Sequence, residues 1–167
     1  MSENRLDNPK VVKLDRMRYA KNIFSSRLTY LAILFNVLYF VSIYESNVGN
    51  WYYMWLIGVS IVYNLVFMLV AFLASEGVKN YKQSYGYLMM GLGVVQIVRI
   101  FILPMQAYKA TVTISKVTYP VMQTPQFVYV VACLILSAAC CLTAGAVGVY
   151  RSRTLAAYTA SLAGKAA

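Results

Sequence analysis

The sequence predicts an all-α integral membrane protein, a four-helix transmembrane bundle with both termini in the cytoplasm. Of its 167 residues 60% are hydrophobic, whereas soluble domains usually have about 45–50%. Four apolar segments each reach the length of roughly 17–25 residues that a helix needs to cross a bilayer. The net charge of +10 comes from Lys and Arg residues that lie mostly outside those segments, as membrane topology requires.

The predicted spans are residues 28–44, 51–74, 85–103 and 126–149. The turn between the first two, ESNVGN at 45–50, is rich in Asn, Ser and Gly and predicts an antiparallel helix pair. Residues 1–27 are predicted to stay in the mature protein as a basic cytoplasmic segment, because no small-x-small cleavage site follows the first apolar run. Residues 150–167 are the predicted cytoplasmic tail.

The distribution of basic residues predicts the orientation. Lys109 and Lys116 lie between spans three and four, and every other Lys and Arg except Arg99 lies in a terminal segment or between spans two and three. The positive-inside rule then places both termini in the cytoplasm of a multi-pass protein of the cell membrane. Aromatic residues such as Tyr39 and Trp51 are expected at the outer membrane interface.

The two cytoplasmic ends have helical patterns. A helix is predicted from Pro9, with Asn8 as its N-cap. Its basic residues favour either an in-plane helix on the anionic inner leaflet or a polar lead-in that only sets orientation. Nucleic-acid binding is not expected, because no recognition motif accompanies the charge. In the tail, Leu155, Tyr158 and Leu162 form a stripe typical of a short helix docked on a membrane or partner.

The connection from Pro104 to Pro125 is the predicted outer loop. Residues 111–115, TVTIS, alternate hydroxyl-bearing and apolar β-branched residues, which gives this loop possible β character. An irregular loop is the alternative, since two isolated strands are marginal in water.

Four uncharged polar residues lie near the middle of the four predicted spans: Asn36, Asn64, Gln96 and Ser137. We expect them to form one layer across the bundle. Such a layer either joins the helices through hydrogen bonds or lines a path or ligand site. Both interpretations remain open from the sequence.

Arg99 interrupts the apolar run GVVQIVRIFILPMQ of the third span. It is predicted near the outer end of its helix, roughly 6 Å from the interface. Two hypotheses follow: the side chain snorkels to the headgroups, or it pairs with Glu45 at the outer end of the first span. Gln96, on the same helix face, would share that pair. The ligand-binding or pairing candidates are therefore Arg99, Glu45, Gln96, Asn36 and Asn64.

Small residues dominate the fourth span. Ser137, Cys141 and Gly145 recur every four residues, as do Ala144 and Gly148. This spacing predicts close helix contacts. Because small residues surround nearly the whole lower half of this span, we also expect a second contact, with another subunit.

The sequence predicts no enzyme, metal site or cofactor. Histidine is absent, three cysteines share one apolar segment, and five acidic residues are scattered. The predicted function is therefore a non-catalytic accessory or scaffold subunit of a larger membrane complex. Its expected partners are anionic lipids of the inner leaflet and other membrane subunits or further copies of the chain. The alternative is a small oligomeric channel or transporter whose path is lined by Arg99 and the polar layer.

Overall fold

The computed structural model describes residues 9–44, 51–114 and 116–164. Within them the chain forms six helices and one hairpin. In order these are α1 (Pro9–Tyr19), α2 (Ile23–Tyr44), α3 (Trp51–Lys79), α4 (Gln83–Ile102), α5 (Pro104–Lys109), β1 (Thr111–Ile114), β2 (Val117–Pro120) and α6 (Thr124–Ala163).

Four of the described helices, α2, α3, α4 and α6, are long and apolar enough to span a membrane, which confirms the predicted number of spans. All four extend beyond the predicted bounds, α4 by two residues at its start and α6 at both ends. α2 begins at Ile23 rather than at residue 28, and α3 continues past residue 74 to Lys79. The added turns contain polar residues that lower the hydropathy but are satisfied inside the bundle: the hydroxyls of Ser26 and Ser75 are 2.8 Å apart and hydrogen-bonded.

Helix α6 is the longest element. Its 40 residues correspond to about 60 Å, roughly twice the thickness of a bilayer's hydrocarbon core. The backbone has no break between the fourth predicted span and the tail. The predicted stripe of Leu155, Tyr158 and Leu162 therefore belongs to a continuation of the spanning helix rather than to a separate short helix.

Helix α6 packs along both α2 and α4, and α3 packs against α2 and α4. Glycines allow the closest of these contacts. A Cβ added to Gly145 of α6 would lie 2.7 Å from the backbone oxygen of Gly86 in α4, a separation that no side chain allows without a shift of the backbone. The α4 and α6 backbones thus touch directly at this point.

The turn between α3 and α4 ends α3 in a Schellman arrangement. The Lys82 N–H donates to the Gly77 oxygen at 3.0 Å, and the Tyr81 N–H donates to the Val78 oxygen at 3.1 Å. Tyr81 has a φ of 56°, the left-handed conformation that this motif needs at its capping position. The turn sets α3 and α4 antiparallel.

The described residues between α4 and α6 form α5 and the hairpin and pack on one end of the bundle. Strands β1 and β2 pair antiparallel, with Thr113 opposite Thr118. The rings of Tyr108 and Phe127 stack with centroids 4.4 Å apart. Met122, just after the hairpin, is buried, so the hairpin is anchored by the chain that follows it.

Candidate functional site

Six polar side chains meet in the interior of the bundle, where each is almost completely buried. Together they draw on all four candidate spans, and we call them the polar cluster. Its members are Asn36, Ser60, Asn64, Gln96, Arg99 and Ser137.

Hydrogen bonds join the uncharged members of the polar cluster across helices. Asn36 Nδ2 donates to Asn64 Oδ1 at 3.0 Å, and Gln96 Nε2 donates to Asn36 Oδ1 at 2.9 Å. The Ser137 hydroxyl donates to the Ala32 carbonyl at 2.9 Å and lies 3.4 Å from Gln96 Nε2. The structure therefore brings together all four residues that the sequence placed in one layer.

Arg99 points into this layer. Its Nη1 donates to Asn64 Oδ1 at 2.9 Å and to Asn36 Oδ1 at 3.3 Å, and its Nη2 donates to Ser60 Oγ at 2.8 Å. The residue is only 6% exposed. The expectation that Arg99 snorkels to the headgroups is therefore wrong, because acceptors on α2 and α3 draw the side chain toward the bundle axis.

Two tyrosine rings cover the Arg99 guanidinium. Its central carbon is 4.3 Å from the ring centroid of Tyr39 and 4.5 Å from that of Tyr63, close enough for two cation–π interactions. Within the described part of the chain, the hydroxyls of Tyr39 and Tyr63 and the Oε1 of Gln96 are buried without a hydrogen-bond partner. The site thus retains hydrogen-bonding capacity that the described residues do not use.

The charge of Arg99 is not balanced by any carboxylate that the structure describes. The described acidic residues are Asp15 and Glu76, which pair with Arg18 at 3.6 Å and with Lys79 at 2.9 Å. Both pairs lie near the end of the bundle that holds α1 and the α3–α4 turn. Arg99 is therefore a buried cation held only by uncharged groups within residues 9–44, 51–114 and 116–164.

Glu45, the other half of the predicted pair, lies outside the described residues, so its pairing with Arg99 stays a prediction. Helix α2 nevertheless fixes the height of the guanidinium. Asn36, which accepts from Arg99, precedes Tyr44 at the end of α2 by about 12 Å of helix. The guanidinium lies well inside the span rather than at the level of the helix end.

A groove between α3 and α4 leads from the outer surface of the bundle to Arg99. It has a volume of about 200 Å³ and is lined by Val59, Ser60, Tyr63, Val95, Val98, Arg99, Ile102 and Leu103. We call it the α3–α4 groove. Val59 and Val98 on its rim are 63% and 51% exposed. The surface of the groove is almost entirely apolar, and Ser60 and Arg99 are largely buried beneath it.

Apolar residues close the polar cluster on both sides along the bundle axis. On α2, Ala32 precedes Asn36 and Tyr39 follows it, and both belong to buried apolar clusters. On α6, Leu134 and Cys141 flank Ser137 in the same way. In the part of the chain that the structure describes, the polar cluster does not continue to either end of the bundle.

The small residues of α6 that the sequence singled out are all buried within the chain: Ser137, Cys141, Ala144, Gly145 and Gly148. Gly148 faces Val78, whose Cγ1 would lie 2.8 Å from an added Cβ. These contacts are made with the chain's own helices. Exposed small residues such as Ala139 and Thr143 remain on the outer side of α6, where the Thr143 hydroxyl donates to the Ala139 carbonyl at 2.8 Å.

Ser60, Tyr39 and Tyr63 are the members of the site that sequence reasoning did not assign. Tyr39 was expected at the membrane interface but is completely buried, because its ring covers a buried cation. The sequence contains a signal for both tyrosines. Tyr39 lies three residues after Asn36, and Tyr63 lies three residues after Ser60, so that each pair shares one helix face.

Four candidate spans around a buried polar cluster define the architecture of a multi-pass α-helical membrane protein. Comparisons of the chain with family models, with curated proteins and with solved structures find no match. Among the described residues, no group of three or more His, Cys, Asp or Glu side chains is placed to hold a metal ion.

Proposed function

We propose that this protein is a non-catalytic accessory subunit of a membrane complex, and that Arg99 receives an acidic side chain from a transmembrane helix of a partner subunit. The observation that carries the proposal is a buried guanidinium, without a carboxylate among the described residues, at the floor of a groove that opens on the lipid-facing surface.

Burying the charge of Arg99 costs free energy. Placing an Arg near the centre of a spanning helix costs about 2.5–3.5 kcal/mol on insertion scales. The side chains of Asn36, Asn64 and Gln96 are already hydrogen-bonded to one another. They would therefore join their helices without Arg99. Neutral acceptors and two aromatic rings offset part of this cost, whereas a carboxylate would neutralise the charge itself. A partner that supplies one would gain a strong, specific contact.

The groove has the shape and the free donors that such a partner needs. Val95, Val98 and Ile102 line its α4 side at the i, i+3, i+7 spacing along which helices pack. At the floor, the guanidinium carries more N–H donors than the three hydrogen bonds use. A carboxylate that reaches Arg99 between the apolar walls would accept from these remaining donors.

The proposed orientation follows from the charges at the two ends of the bundle. The end that holds α1, the α3–α4 turn and the last part of α6 is strongly basic, whereas Lys109 and Lys116 lie at the hairpin end. By the positive-inside rule both termini are cytoplasmic and the hairpin is outside, in a protein of the cell membrane.

A small oligomeric channel or transporter is the rival function. The apolar residues on both sides of the polar cluster argue against a path through one chain. A path between copies would instead require a ring of identical subunits in which Arg99 faces the centre. The two functions therefore predict different molecules at the mouth of the α3–α4 groove.

The test places a photo-crosslinking residue at Val98 in the groove and, as a control, at Ile135 on the exposed face of α6, which is about equally exposed. We expect Val98 in native membranes to crosslink to a foreign transmembrane segment that contains Asp or Glu, and Ile135 not to do so. The crosslink should persist in Arg99→Lys and disappear in Arg99→Leu. Crosslinking to a second copy of the chain, or to a segment without an acidic residue, would refute the proposal.

A charge-reversal experiment tests the same contact between Arg99 and the partner. If Arg99→Glu abolishes the complex, changing the identified acidic residue of the partner to Arg should restore it. Glu45→Gln is the internal control: if that substitution alone abolishes the complex, Glu45 rather than a partner balances the charge.

A further inference from the structure

A second cavity lies at the opposite end of the bundle from the hairpin, between α1 and the last part of α6. Its volume is about 270 Å³. Seven residues line it: the basic Lys10, Lys13 and Arg151, the largely apolar Leu14, Met17 and Tyr150, and the hydroxyl-bearing Thr154. We call it the α1–α6 pocket.

Arg151 is held in place at the inner edge of this pocket. Its Nη1 donates to Asn22 Oδ1 at 2.7 Å, and its guanidinium carbon lies 5.8 Å from the ring centroid of Phe24. The Asn22 N–H in turn donates to the Lys79 carbonyl at 2.9 Å. The start of α2, the end of α3 and the middle of α6 are thereby fixed to one another beside the pocket.

The pocket lies where the apolar stretch of α6 ends, which is the level expected for a lipid headgroup. Arg151 comes directly after the apolar stretch of α6 that ends with Val149 and Tyr150, and α6 continues beyond it for another three turns. Helix α1 packs against that continuation: the Tyr158 hydroxyl donates to Asp15 Oδ1 at 3.4 Å. On α6 the pocket therefore begins where the apolar stretch ends, and α1 forms its other wall with two basic and two apolar residues.

This end of the molecule has a large excess of positive charge. Its described basic residues are Lys10, Lys13, Arg16, Arg18, Lys21, Arg27, Lys79, Lys82, Arg151 and Arg153. Its described acidic residues, Asp15 and Glu76, are paired with Arg18 and Lys79. The field at this end therefore attracts anions.

We propose that the α1–α6 pocket binds the phosphate-bearing headgroup of an anionic phospholipid, whose acyl chains remain in the bilayer beside α6. Lys and Arg side chains are the usual partners of phosphate, and basic pockets at the cytoplasmic ends of spanning helices suit anionic headgroups. The volume lies below the range of about 300–1,000 Å³ typical of whole-ligand sites, so it fits a headgroup and not a complete lipid. Leu14, Met17 and Tyr150 cover the glycerol region.

This site is independent of the proposed function of Arg99. It uses other residues, at the basic end of the bundle. If the pocket does not bind lipid, the proposal for the α3–α4 groove is unaffected. If the groove does not bind a partner, the proposal for the lipid site is unaffected.

The test compares lipid retention in two double variants that remove the same charge. Lys10→Gln/Lys13→Gln changes the pocket, and Lys109→Gln/Lys116→Gln changes the hairpin end. The full chain in mild detergent is offered phosphatidylglycerol and phosphatidylcholine in equal amounts, and bound lipid is counted by native mass spectrometry. We expect the unmodified chain and the hairpin-end variant to retain phosphatidylglycerol selectively. The pocket variant should bind it about 25-fold more weakly, from about 1 kcal/mol for each basic residue.

Three outcomes would overturn the proposal: equal retention of the two lipids, unchanged retention in the pocket variant, or equal losses in both double variants. A further arm measures thermal stability in lipid-free detergent with inorganic phosphate. Stabilisation by phosphate that equals stabilisation by phosphatidylglycerol would assign the pocket to a free phosphate group and overturn the lipid as its source. Arg151→Lys, which keeps the charge, should retain the lipid and so separates charge from the packing role of Arg151.

Discussion

The side-chain amides of Asn36 and Asn64 are hydrogen-bonded to each other at 3.0 Å, and both of their oxygens also accept from Arg99. Each oxygen therefore has an uncharged donor besides the guanidinium. Asn64 Oδ1 accepts from Asn36, and Asn36 Oδ1 accepts from Gln96 at 2.9 Å. The side-chain amides of Asn36, Asn64 and Gln96 are therefore joined to one another without Arg99, and the charge of Arg99 is an addition to their hydrogen bonds.

Arg99→Met tests whether that added charge serves the fold or a partner. Because the amide oxygens keep their uncharged donors and a desolvated charge is removed, we expect the free energy of unfolding of the isolated chain in detergent to change by less than about 1 kcal/mol. Assembly with the partner should be lost. A loss of stability above about 2 kcal/mol, measured by denaturant titration, would instead make Arg99 a structural residue.

Asn36→Leu, in contrast, should lower the stability of the isolated chain. Asn36 exchanges hydrogen bonds with Asn64, Gln96 and Arg99, so its removal leaves Gln96 and Arg99 short of an acceptor. We expect a loss of about 1–3 kcal/mol in the free energy of unfolding, since hydrogen bonds between membrane helices contribute roughly 0.6–2 kcal/mol each. The same titration measures it. Stability equal to that of the unmodified chain would show that the network does not join the helices.

The rings beside Arg99 give a matched pair of variants. Tyr39→Phe keeps the aromatic face over the guanidinium and removes a buried hydroxyl that has no partner in the described residues. We expect it to be neutral or slightly stabilising. Tyr39→Leu removes the face and should cost about 1–2 kcal/mol beyond Tyr39→Phe. Equal effects of the two substitutions in thermal unfolding would show that the cation–π contact contributes nothing.

Much of the fold follows from the sequence because hydropathy is a property of each segment by itself. The four spans and the mid-span positions of Asn36, Asn64, Gln96 and Ser137 could be found in this way. The starts and ends of the helices are harder to predict from the sequence. Ser26 and Ser75 reduce the apolar character of their segments, yet they bond to each other inside the bundle, a pairing that no single segment reveals.

The direction of the Arg99 side chain could not be predicted for a related reason. Its depth along α4 follows from counting residues, but the rotation of α4 about its own axis depends on contacts with α2 and α3. Ser60 and Asn64 on α3 accept from the guanidinium only because that rotation turns it inward. The same holds for α6, where packing, and not composition, decides that Gly145 faces Gly86.

Glycine substitutions on α4 and α6 test this packing. An added Cβ at Gly145 would meet the Gly86 oxygen at 2.7 Å, whereas one at Gly91 would meet nothing within 4 Å. Gly145→Ala must therefore push the two backbones apart, and we expect a loss of about 1–3 kcal/mol in the free energy of unfolding. Gly91→Ala should cause no loss, because Ala favours a helix over Gly. Equal losses would contradict the contact.

Single cysteines at the two ends of the bundle test the proposed orientation. The native Cys133 and Cys141 are buried and Cys140 is half-buried, so we expect little background labelling by a maleimide that does not cross membranes. Lys109→Cys lies at the hairpin end and Lys82→Cys in the α3–α4 turn, and both positions are exposed.

In intact cells we expect the reagent to label Lys109→Cys and to leave Lys82→Cys unlabelled until the membrane is opened, because the basic end faces the cytoplasm. The two variants replace the same residue type and differ only in the end that they mark. Labelling of Lys82→Cys alone in intact cells would reverse the orientation, and it would also move the α1–α6 pocket away from the anionic inner leaflet. The labelling experiment thus decides the sidedness on which the lipid site depends.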